Sequence, residues 1–283
     1  MTDGPVPRTP SDRPSGSGLP VGDLLDTATV SVDLPVPSSA LAIGAHPDDI
    51  EFGAGATLAK WAAAGCRVHH LVLTDGSKGS WDPDEDLEAL VAARMQECRA
   101  AAAWIDGDPD RSAVADGRVQ FLLRVDGELD NDAATRRDVA RVIRTVRPEV
   151  LLGHDPWRRY RLHPDHRAAG FLTVDSLVAA RDPHFFGDLG LEPHRPAALL
   201  LWEADLVNHV ERSGEFGAAK VGALLCHHSQ LQTTMGLDAG ARDGSSVVDG
   251  RAGFASRIDW QLTQHGAVAG IGAGEAFHLM TDL

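Results

Sequence analysis

Residues 41–57 have the sequence LAIGAHPDDIEFGAGAT, which indicates both a fold class and a candidate site. The segment opens with the apolar run 41–45, continues with His46-Pro47-Asp48-Asp49, and then turns to small residues. A short apolar run that ends in a polar turn predicts a buried strand. One imidazole and two carboxylates directly behind that strand are candidate metal ligands.

The alternation of apolar runs and helical segments continues downstream. Helices are predicted at 51–64, 86–104, 133–146, 166–180 and 215–228, and further strands at 67–74, 119–123, 150–153 and 197–202. Strand–helix–strand units join parallel strands of one sheet. We therefore expect an α/β fold, a Rossmann-like and mostly parallel sheet with helices on both faces and the active site at the C-terminal edge of the strands.

The ends of the 283-residue chain differ from this pattern. Seven of the 16 prolines fall within the first 37 residues, together with many Ser and Gly residues, and such a segment does not repay the entropy of ordering. We expect a disordered tail over 1–38 and a single domain over 39–283. Residues 233–283 carry no strong period, so no structure is predicted for them.

The charge of the chain limits the classes of binding partner, and its cysteine content indicates the cellular compartment. With 26 Lys and Arg against 41 Asp and Glu, the formal net charge is -15 and no basic stripe is present, which argues against nucleic acid and membrane surfaces as partners. Three dispersed cysteines and the lack of a signal-peptide pattern or an apolar span favour a cytoplasmic protein. No oligomeric state is predicted.

A second polar cluster, His163-Pro164-Asp165-His166, follows the predicted strand 150–153. Taken alone, this block is typical of a helix start, where Pro suits the first turn and Asp suits the helix dipole. Two such clusters behind two strands of one parallel sheet instead favour a shared metal site, because the loops after those strands converge. Two imidazoles and one carboxylate with an open position form a site that lowers the pKa of bound water to about 7.

At these residues the chain resembles the PIG-L/LmbE-like N-acetylglucosaminyl deacetylase family, zinc-dependent enzymes that remove an acetyl group from N-acetylated amino sugars. The resemblance runs from about Leu41 to Phe277 and is most specific at the two His-Pro-Asp blocks. Supporting matches are Leu73-Thr74-Asp75-Gly76 with Lys78-Gly79, the pair Arg94 and Glu97, and Lys220 followed by His227-His228-Ser229-Gln230.

The resemblance implies one divalent metal per chain, Zn²⁺ with Fe²⁺ as the alternative, held by His46, Asp49 and His166. It further implies three catalytic residues, listed here with their roles: Asp48 as general base on the metal-bound water, His163 as the group that stabilises the oxyanion or protonates the leaving amine, and Asp165 as the orienter of that imidazole. Amide hydrolysis requires these three functions.

Two residues are candidate substrate contacts. Arg94 matches an arginine that resembles a sugar-contacting residue in the branch acting on the mycothiol precursor, with a solvated helix charge as the alternative interpretation. That branch has a tyrosine two residues before the histidine that corresponds to His163. Here Arg161 stands at that position, and the only tyrosine of the chain, Tyr160, lies one residue earlier.

We expect a hydrolase of linear amide C–N bonds that removes the N-acetyl group from a small molecule containing N-acetylglucosamine, by means of metal-activated water. One alternative is an amidase for a larger N-acyl group or a thiol conjugate. A second is a non-haem iron enzyme, because two histidines and one carboxylate also suit that chemistry. A third, a catalytically inactive sugar-binding module, is disfavoured by Asp48 and His163 beside the ligands. The aglycone and the acyl group are not identified.

Overall fold

The computed structural model describes residues 29–107, 118–237 and 244–283, without the side chains of 244–249. The strands are β1 Ser31–Val32, β2 Ser39–Gly44, β3 Arg67–Thr74, β4 Val119–Arg124, β5 Val150–His154, β6 Ala198–Trp202, β7 His209–Arg212 and β8 Gly274–Met280. The helices are α1 Asp49–Ala63, α2 Leu87–Ile105, α3 Ala133–Val146, α4 Pro164–Arg181, α5 Gly217–Leu224 and α6 Gly244–Val268.

The described strands form one sheet in the order β1-β7-β8-β6-β5-β2-β3-β4. The run from β6 to β4 is parallel throughout, and β8 is antiparallel to both of its neighbours. Strand β2 lies in the middle, with β3 and β4 on one side and β5 and β6 on the other. The order of strands therefore reverses between β2 and β5, which confirms the predicted Rossmann-like arrangement.

Central strand β2 is buried on both faces of the sheet. Ala40 and Ala42 pack into one core with residues of α1, α2 and α5, whereas Leu41 and Ile43 pack into a second core with α3 and α4. Successive side chains of a strand point to opposite faces, so a strand covered by helices on both sides needs an uninterrupted apolar run. This burial explains why residues 41–45 carry the clearest strand signal in the sequence.

The structure corrects the expected N-terminal boundary. Residues 1–28 of the predicted tail lie outside the described residues, but 29–38 are ordered, and the tail prediction is wrong for them. Strand β1 pairs in parallel with β7, with Ser31 opposite His209. The Asp33 carboxylate accepts a hydrogen bond from Lys60 Nζ at 2.8 Å, so main-chain pairing and an ion pair compensate for the weak apolar content of this segment.

The C-terminal region, for which no structure was predicted, contains α6 and β8. Strand β8 fills the gap between β6 and β7, and its antiparallel direction makes the sheet mixed at this end. The predicted helix at 215–228 is shorter in the structure and ends at Leu224. In the part of the chain that the structure describes, no helix is both long enough and apolar enough to cross a membrane.

Candidate active site

The two polar clusters lie at the carboxyl ends of β2 and β5, which are neighbours where the strand order reverses. Open α/β sheets bind ligands in the crevice at such a point. A cavity of about 510 Å³ opens there, within the size range of small-molecule sites. Its lining consists of His46, Asp48, Asp49, Phe52, Lys78, Gly79, Arg94, Asp126, Gly127, His163, His166, Glu203, Gln230 and Thr234.

The turn that carries the first cluster is held from neighbouring elements. The backbone N–H and the hydroxyl of Thr74, at the end of β3, each donate to the carbonyl of Ala45 at 2.8 Å. Gln230 Nε2 donates to the carbonyl of Pro47 at 2.7 Å. These bonds fix the path of the chain between β2 and α1, so the functional side chains project from a defined backbone.

Asp48 occupies a strained and buried position in this turn. Its φ of 103° lies in the left-handed region that side-chain-bearing residues rarely adopt, and such strain often accompanies functional sites. Its Oδ2 is buried and has no hydrogen-bond partner among the described residues. Burial, followed by the neighbouring Asp49 carboxylate, raises the pKa of Asp48 to about 8.

The structure brings the three predicted metal ligands together. His46 Nδ1 lies 3.3 Å from Asp49 Oδ2 and 3.1 Å from His166 Nε2, and His166 Nε2 lies 3.1 Å from Asp49 Oδ1. A tetrahedral ion with bonds of about 2.0–2.1 Å to nitrogen and oxygen separates its ligand atoms by about 3.3 Å. The three side chains therefore have the donor types of such a site, and each pair of them approaches to this spacing, His46 at Oδ2 and His166 at Oδ1 of the Asp49 carboxylate.

Other groups of potential ligands overlap with this trio. They are Asp49 with His154 and His166, His46 with His163 and His166, and His46 with Asp126 and Asp165. The hydrogen bonds of the additional residues distinguish their roles.

His154 supports Asp49 and was not predicted from the sequence. Its Nε2 lies 3.2 Å from Asp49 Oδ2, and its Nδ1 accepts a hydrogen bond from Trp202 Nε1 at 3.0 Å. Because an indole N–H only donates, Nδ1 is the acceptor in this contact, and Nε2 is the nitrogen that faces the Asp49 carboxylate. Burial lowers the pKa of His154, but the Asp49 carboxylate outweighs this and the pKa is raised. The sequence feature that could have indicated His154 is its position at the carboxyl end of the strand, as the last residue of β5.

Asp165 does not orient His163 through its carboxylate, so that expectation is corrected. Asp165 Oδ2 lies 3.1 Å from His46 Nε2, and its two oxygens accept backbone N–H groups of the turn after β4. Asp126 Oδ1 lies 3.2 Å from the same His46 nitrogen and was missed at the sequence level. Burial alone would lower the pKa of His46, but Asp126, Asp165 and then Asp49 outweigh it and raise the pKa to about 12.

His163 is the N-cap of α4 and lines the cavity. Its Nδ1 accepts the backbone N–H of Asp165 at 3.3 Å, which leaves Nε2 as the proton-bearing nitrogen of the neutral ring. The ring stacks on His166 with centroids 4.7 Å apart and meets His46 edge-on at 4.5 Å. Burial, followed by His46 and His166, lowers the pKa of His163. The geometry therefore makes His163 a hydrogen-bond donor towards the cavity.

The two candidate substrate contacts differ in position. Arg94 is only 2% exposed, so its interpretation as a solvated helix charge is wrong. Its guanidinium donates to the carbonyls of Gly76 and, at 3.0 Å, Gly79, and thereby holds the loop after β3 against the cavity. The side chain of Tyr160 is 93% exposed and lies outside the set of residues that line the cavity.

Arg161, which stands where the tyrosine of the mycothiol branch lies, reaches the site itself. Its guanidinium pairs with Glu203 and contacts His166 Nδ1. Glu203 lines the cavity and was also missed at the sequence level. Burial alone would raise the pKa of Glu203, but His154 and Arg161 beside it lower the pKa to about 2. The rim of the cavity thus carries a fixed carboxylate.

Comparison with known proteins gives consistent matches. The model of the family described as PIG-L, GlcNAc-PI de-N-acetylase, matches residues 41–177. Diacetylchitobiose deacetylase of Thermococcus kodakarensis is 33% identical over 194 residues, which cover 68% of this chain and 69% of that protein. The 1D-myo-inositol 2-acetamido-2-deoxy-alpha-D-glucopyranoside deacetylase of Streptomyces avermitilis is 35% identical over 168 residues, 53% of this chain and 56% of that enzyme.

A solved structure extends the similarity to most of the fold. The N,N'-diacetylchitobiose deacetylase from Pyrococcus horikoshii, in complex with its inhibitor MPG, superposes with a TM-score of 0.72 at 25% identity. The superposition covers 87% of this chain and 84% of that one, so it includes more than the segment matched by the family model.

Proposed function

The chain belongs to the PIG-L family of de-N-acetylases, and from this premise we propose that it is a metal-dependent hydrolase that removes the N-acetyl group from a small molecule containing N-acetylglucosamine. Relatives named as deacetylases of acetylated amino sugars support the reaction class. The observation that carries the proposal is the mutual contact of His46, Asp49 and His166. Their nitrogens lie 3.1 Å apart and each meets one oxygen of the Asp49 carboxylate at 3.1–3.3 Å, beside the Asp48 oxygen that has no partner among the described residues.

We propose that His46, Asp49 and His166 hold one divalent ion, Zn²⁺, with Fe²⁺ as the alternative. Two imidazole nitrogens and one carboxylate oxygen suit this ion, and the carboxylates on the far side of His46 are the partners that metal-binding histidines usually have. When bound, the ion supplies Lewis-acid chemistry that polarises the acetyl carbonyl and acidifies water.

Residues of the chain itself carry out the remaining steps, each with its own role. Asp48 accepts the proton of the attacking water, because its Oδ2 is buried, lacks a partner among the described residues and belongs to the cavity lining. His163 donates a hydrogen bond through Nε2 to the oxygen that becomes negative in the tetrahedral species. The departing amine receives the proton that Asp48 took from the water, so the neutral His163 ring keeps its own proton. Asp165 acts through His46, whose orientation its carboxylate fixes.

Arg94 and Tyr160 stay proposed contacts to the sugar. Arg94 belongs to the cavity lining, so an amino-sugar ring that occupies the cavity meets this part of its wall. Tyr160 lies on the exposed segment between β5 and α4, and its contact requires a substrate that extends beyond the cavity. We also propose that the protein works in the cytoplasm, where the free thiols of Cys66, Cys98 and Cys226 would stay reduced.

The test of this function is the release of free amine from a panel of glucosaminides with N-acyl chains of increasing length, by purified protein reconstituted with Zn²⁺. We expect the acetyl compounds to react fastest, and Asp48→Asn protein with full metal content is the matched inactive control. Preference for a long acyl chain would instead support the amidase alternative. A requirement for oxygen and a 2-oxoacid would identify a non-haem iron enzyme.

A further inference from the structure

Helix α1, whose first residue is Asp49, is broken within its second turn. Ala54 has φ -145° and ψ 16°, outside the helical region, so a short segment 49–53 precedes a longer segment 55–63. A break leaves carbonyl groups of the first segment and N–H groups of the second without their helical partners. Because this part of α1 is buried, those groups need partners from elsewhere in the protein.

A buried ion pair supplies partners on both sides of the break. Lys220 Nζ, from α5, donates to the carbonyl of Phe52 at 2.6 Å. The carboxylate of Glu275, from β8, accepts the N–H groups of Ala56 at 3.2 Å and Thr57 at 2.7 Å. The two side chains are joined at 2.6 Å and are 2% and 1% exposed. One lysine and one glutamate therefore cap both helix segments.

Small residues on α1 allow this close packing. A Cβ at Gly55 would lie 3.1 Å from Lys220 Cγ, and a Cβ at Gly53 would lie within 2.7 Å of three indole carbons of Trp202. Trp202 is the residue that donates to His154, which in turn contacts Asp49. The break in α1 is thus packed between the ion pair and the group that supports the metal-ligand carboxylate.

We propose that Lys220 and Glu275 are positioning residues for the metal site, because they fix the segment that carries Asp48 and Asp49 relative to the rest of α1. Stability alone gives a weak reason for such a pair, since desolvation largely offsets the attraction between buried charges. The hydrogen bonds across the break give a more specific reason for the ion pair, because they determine the direction in which the first turn of α1 leaves the sheet edge. This inference rests on the metal site proposed above.

The chain contains a matched control pair on the same helix. Lys60, near the end of α1, pairs with buried Glu211 of β7 at 2.6 Å. Glu211 lies directly opposite Glu275 in the register of β7 and β8. Both pairs therefore join a lysine to a buried glutamate of neighbouring strands, but only the Lys220–Glu275 pair spans the break. Loss of the Lys60 pair should cost stability without disturbing the first turn of α1.

The experiment compares Lys220→Met and Glu275→Gln with Lys60→Met. The measurements are the Zn²⁺ dissociation constant by chelator competition, the d–d absorption of the Co²⁺-substituted protein, and the Tm of the metal-free protein. We expect the first two variants to bind Zn²⁺ about tenfold or more weakly and to change the Co²⁺ spectrum, as loss of supporting residues around metal sites does. Lys60→Met should lower the Tm and leave both metal readouts at their wild-type values.

Two further variants keep the test decisive if Lys220→Met does not fold. Lys220→Arg retains a cation with N–H donors and should restore most of the metal affinity. The apolar pair Lys220→Met with Glu275→Leu should recover part of the stability lost in Lys220→Met, because no buried charge is left without its partner. It should not recover metal affinity, because the carbonyl of Phe52 and the N–H of Thr57 stay without partners. Wild-type metal affinity in that double variant, or equal metal affinity in Lys220→Met and Lys60→Met, would overturn the positioning role. Failure of the wild-type protein to bind Zn²⁺ would overturn the proposed function and this inference together.

Discussion

At the scale of single residues, Asp48 and Asp49 show how adjacent and identical side chains acquire different tasks. The left-handed backbone at Asp48 separates their directions, so three histidines contact Asp49 while one buried oxygen of Asp48 lacks a partner among the described residues. A carboxylate surrounded by imidazoles suits a cation. A carboxylate with an unpaired oxygen in a cavity suits a proton acceptor.

Replacement of Asp48 by Asn should lower kcat by about 10²-fold or more, because an amide cannot accept the proton of the attacking water. Metal content should stay at the wild-type level, since Asp48 is outside the proposed ligand trio. Turnover of an N-acetylglucosaminide and elemental analysis of the same sample check both statements. Asp49→Asn is the comparison variant and should lose metal. Near wild-type turnover in Asp48→Asn would remove this residue from the mechanism.

Replacement of His163 by Ala should lower turnover and leave the metal content near that of the wild type. His163 Nδ1 is engaged by the backbone of α4, and the ring belongs to the cavity lining beside the proposed ligand trio. His166→Ala, by contrast, should bind no stoichiometric metal. Elemental analysis separates the two variants. Loss of metal from His163→Ala with retention in His166→Ala would exchange the roles assigned to these histidines.

The sequence indicated the proposed ligand residues better than the residues that support them, and the reason is physical. His46 and Asp49 directly follow β2, and His166 lies in the first turn of α4, the helix that follows β5, so the parallel sheet predicts that these segments converge. The choice of these three residues as ligands came from the family resemblance. The contacts of His154 with Asp49 and of Asp126 with His46 depend on side-chain packing between loops that follow different strands. No local pattern in the sequence carries that information, and the same holds for Asp165, whose carboxylate turns to His46.

At the scale of secondary structure, prediction succeeded where an element carries its own signal. Strand β2 is apolar throughout because both of its faces are covered. Strand β8, with the sequence GEAFHLM, has a buried glutamate that only the contact with Lys220 and α1 explains. Strand β1 contains two residues and exists through its pairing with β7. These elements depend on long-range partners, so no pattern in their own sequences predicts them.

Replacement of Gly53 by Ala in α1 should destabilise the protein by about 1–3 kcal/mol, because the added methyl group overlaps the indole of Trp202. Gly253→Ala in α6 is the matched control: this helical glycine is exposed and its Cβ would meet nothing within 4 Å. The control should be neutral or slightly stabilising, since Ala is the better helix former. Urea unfolding of both variants checks the prediction, and equal midpoints would contradict the close packing of α1 on Trp202.

At the scale of the whole molecule, the strand order determines which distant segments form the site. Reversal between β2 and β5 joins two clusters that are more than a hundred residues apart in the chain, and this convergence followed from the alternating pattern. The arrangement of strands at the other end of the sheet could not be predicted from the alternating pattern. There β8 runs antiparallel, and the segment before β2 returns to pair with β7. The expected tail boundary at residue 38 was wrong for that reason.

The ordering of this N-terminal segment leads to a pH prediction centred on Asp33. Burial alone would raise the pKa of Asp33, but Lys60 and Arg212 outweigh it and lower the pKa to about 2. Because the folded-state pKa lies below the ordinary value of 3.8, the ionised pair stabilises the fold above about pH 4, and this contribution is lost as the pH falls towards 2. The free energy of unfolding of Asp33→Asn should therefore be lower than that of the wild type by about 1–2 kcal/mol at pH 6, a value reduced for the partial exposure of the side chain. The difference should vanish near pH 2.

Urea unfolding of Asp33→Asn and wild type between pH 6 and pH 2 measures this difference. The control is Asp188→Asn, which removes the carboxylate of the exposed ion pair with Arg137 and should change the free energy of unfolding little at any pH. A difference between Asp33→Asn and wild type that is constant across this range would show that the carboxylate does not act through its charge.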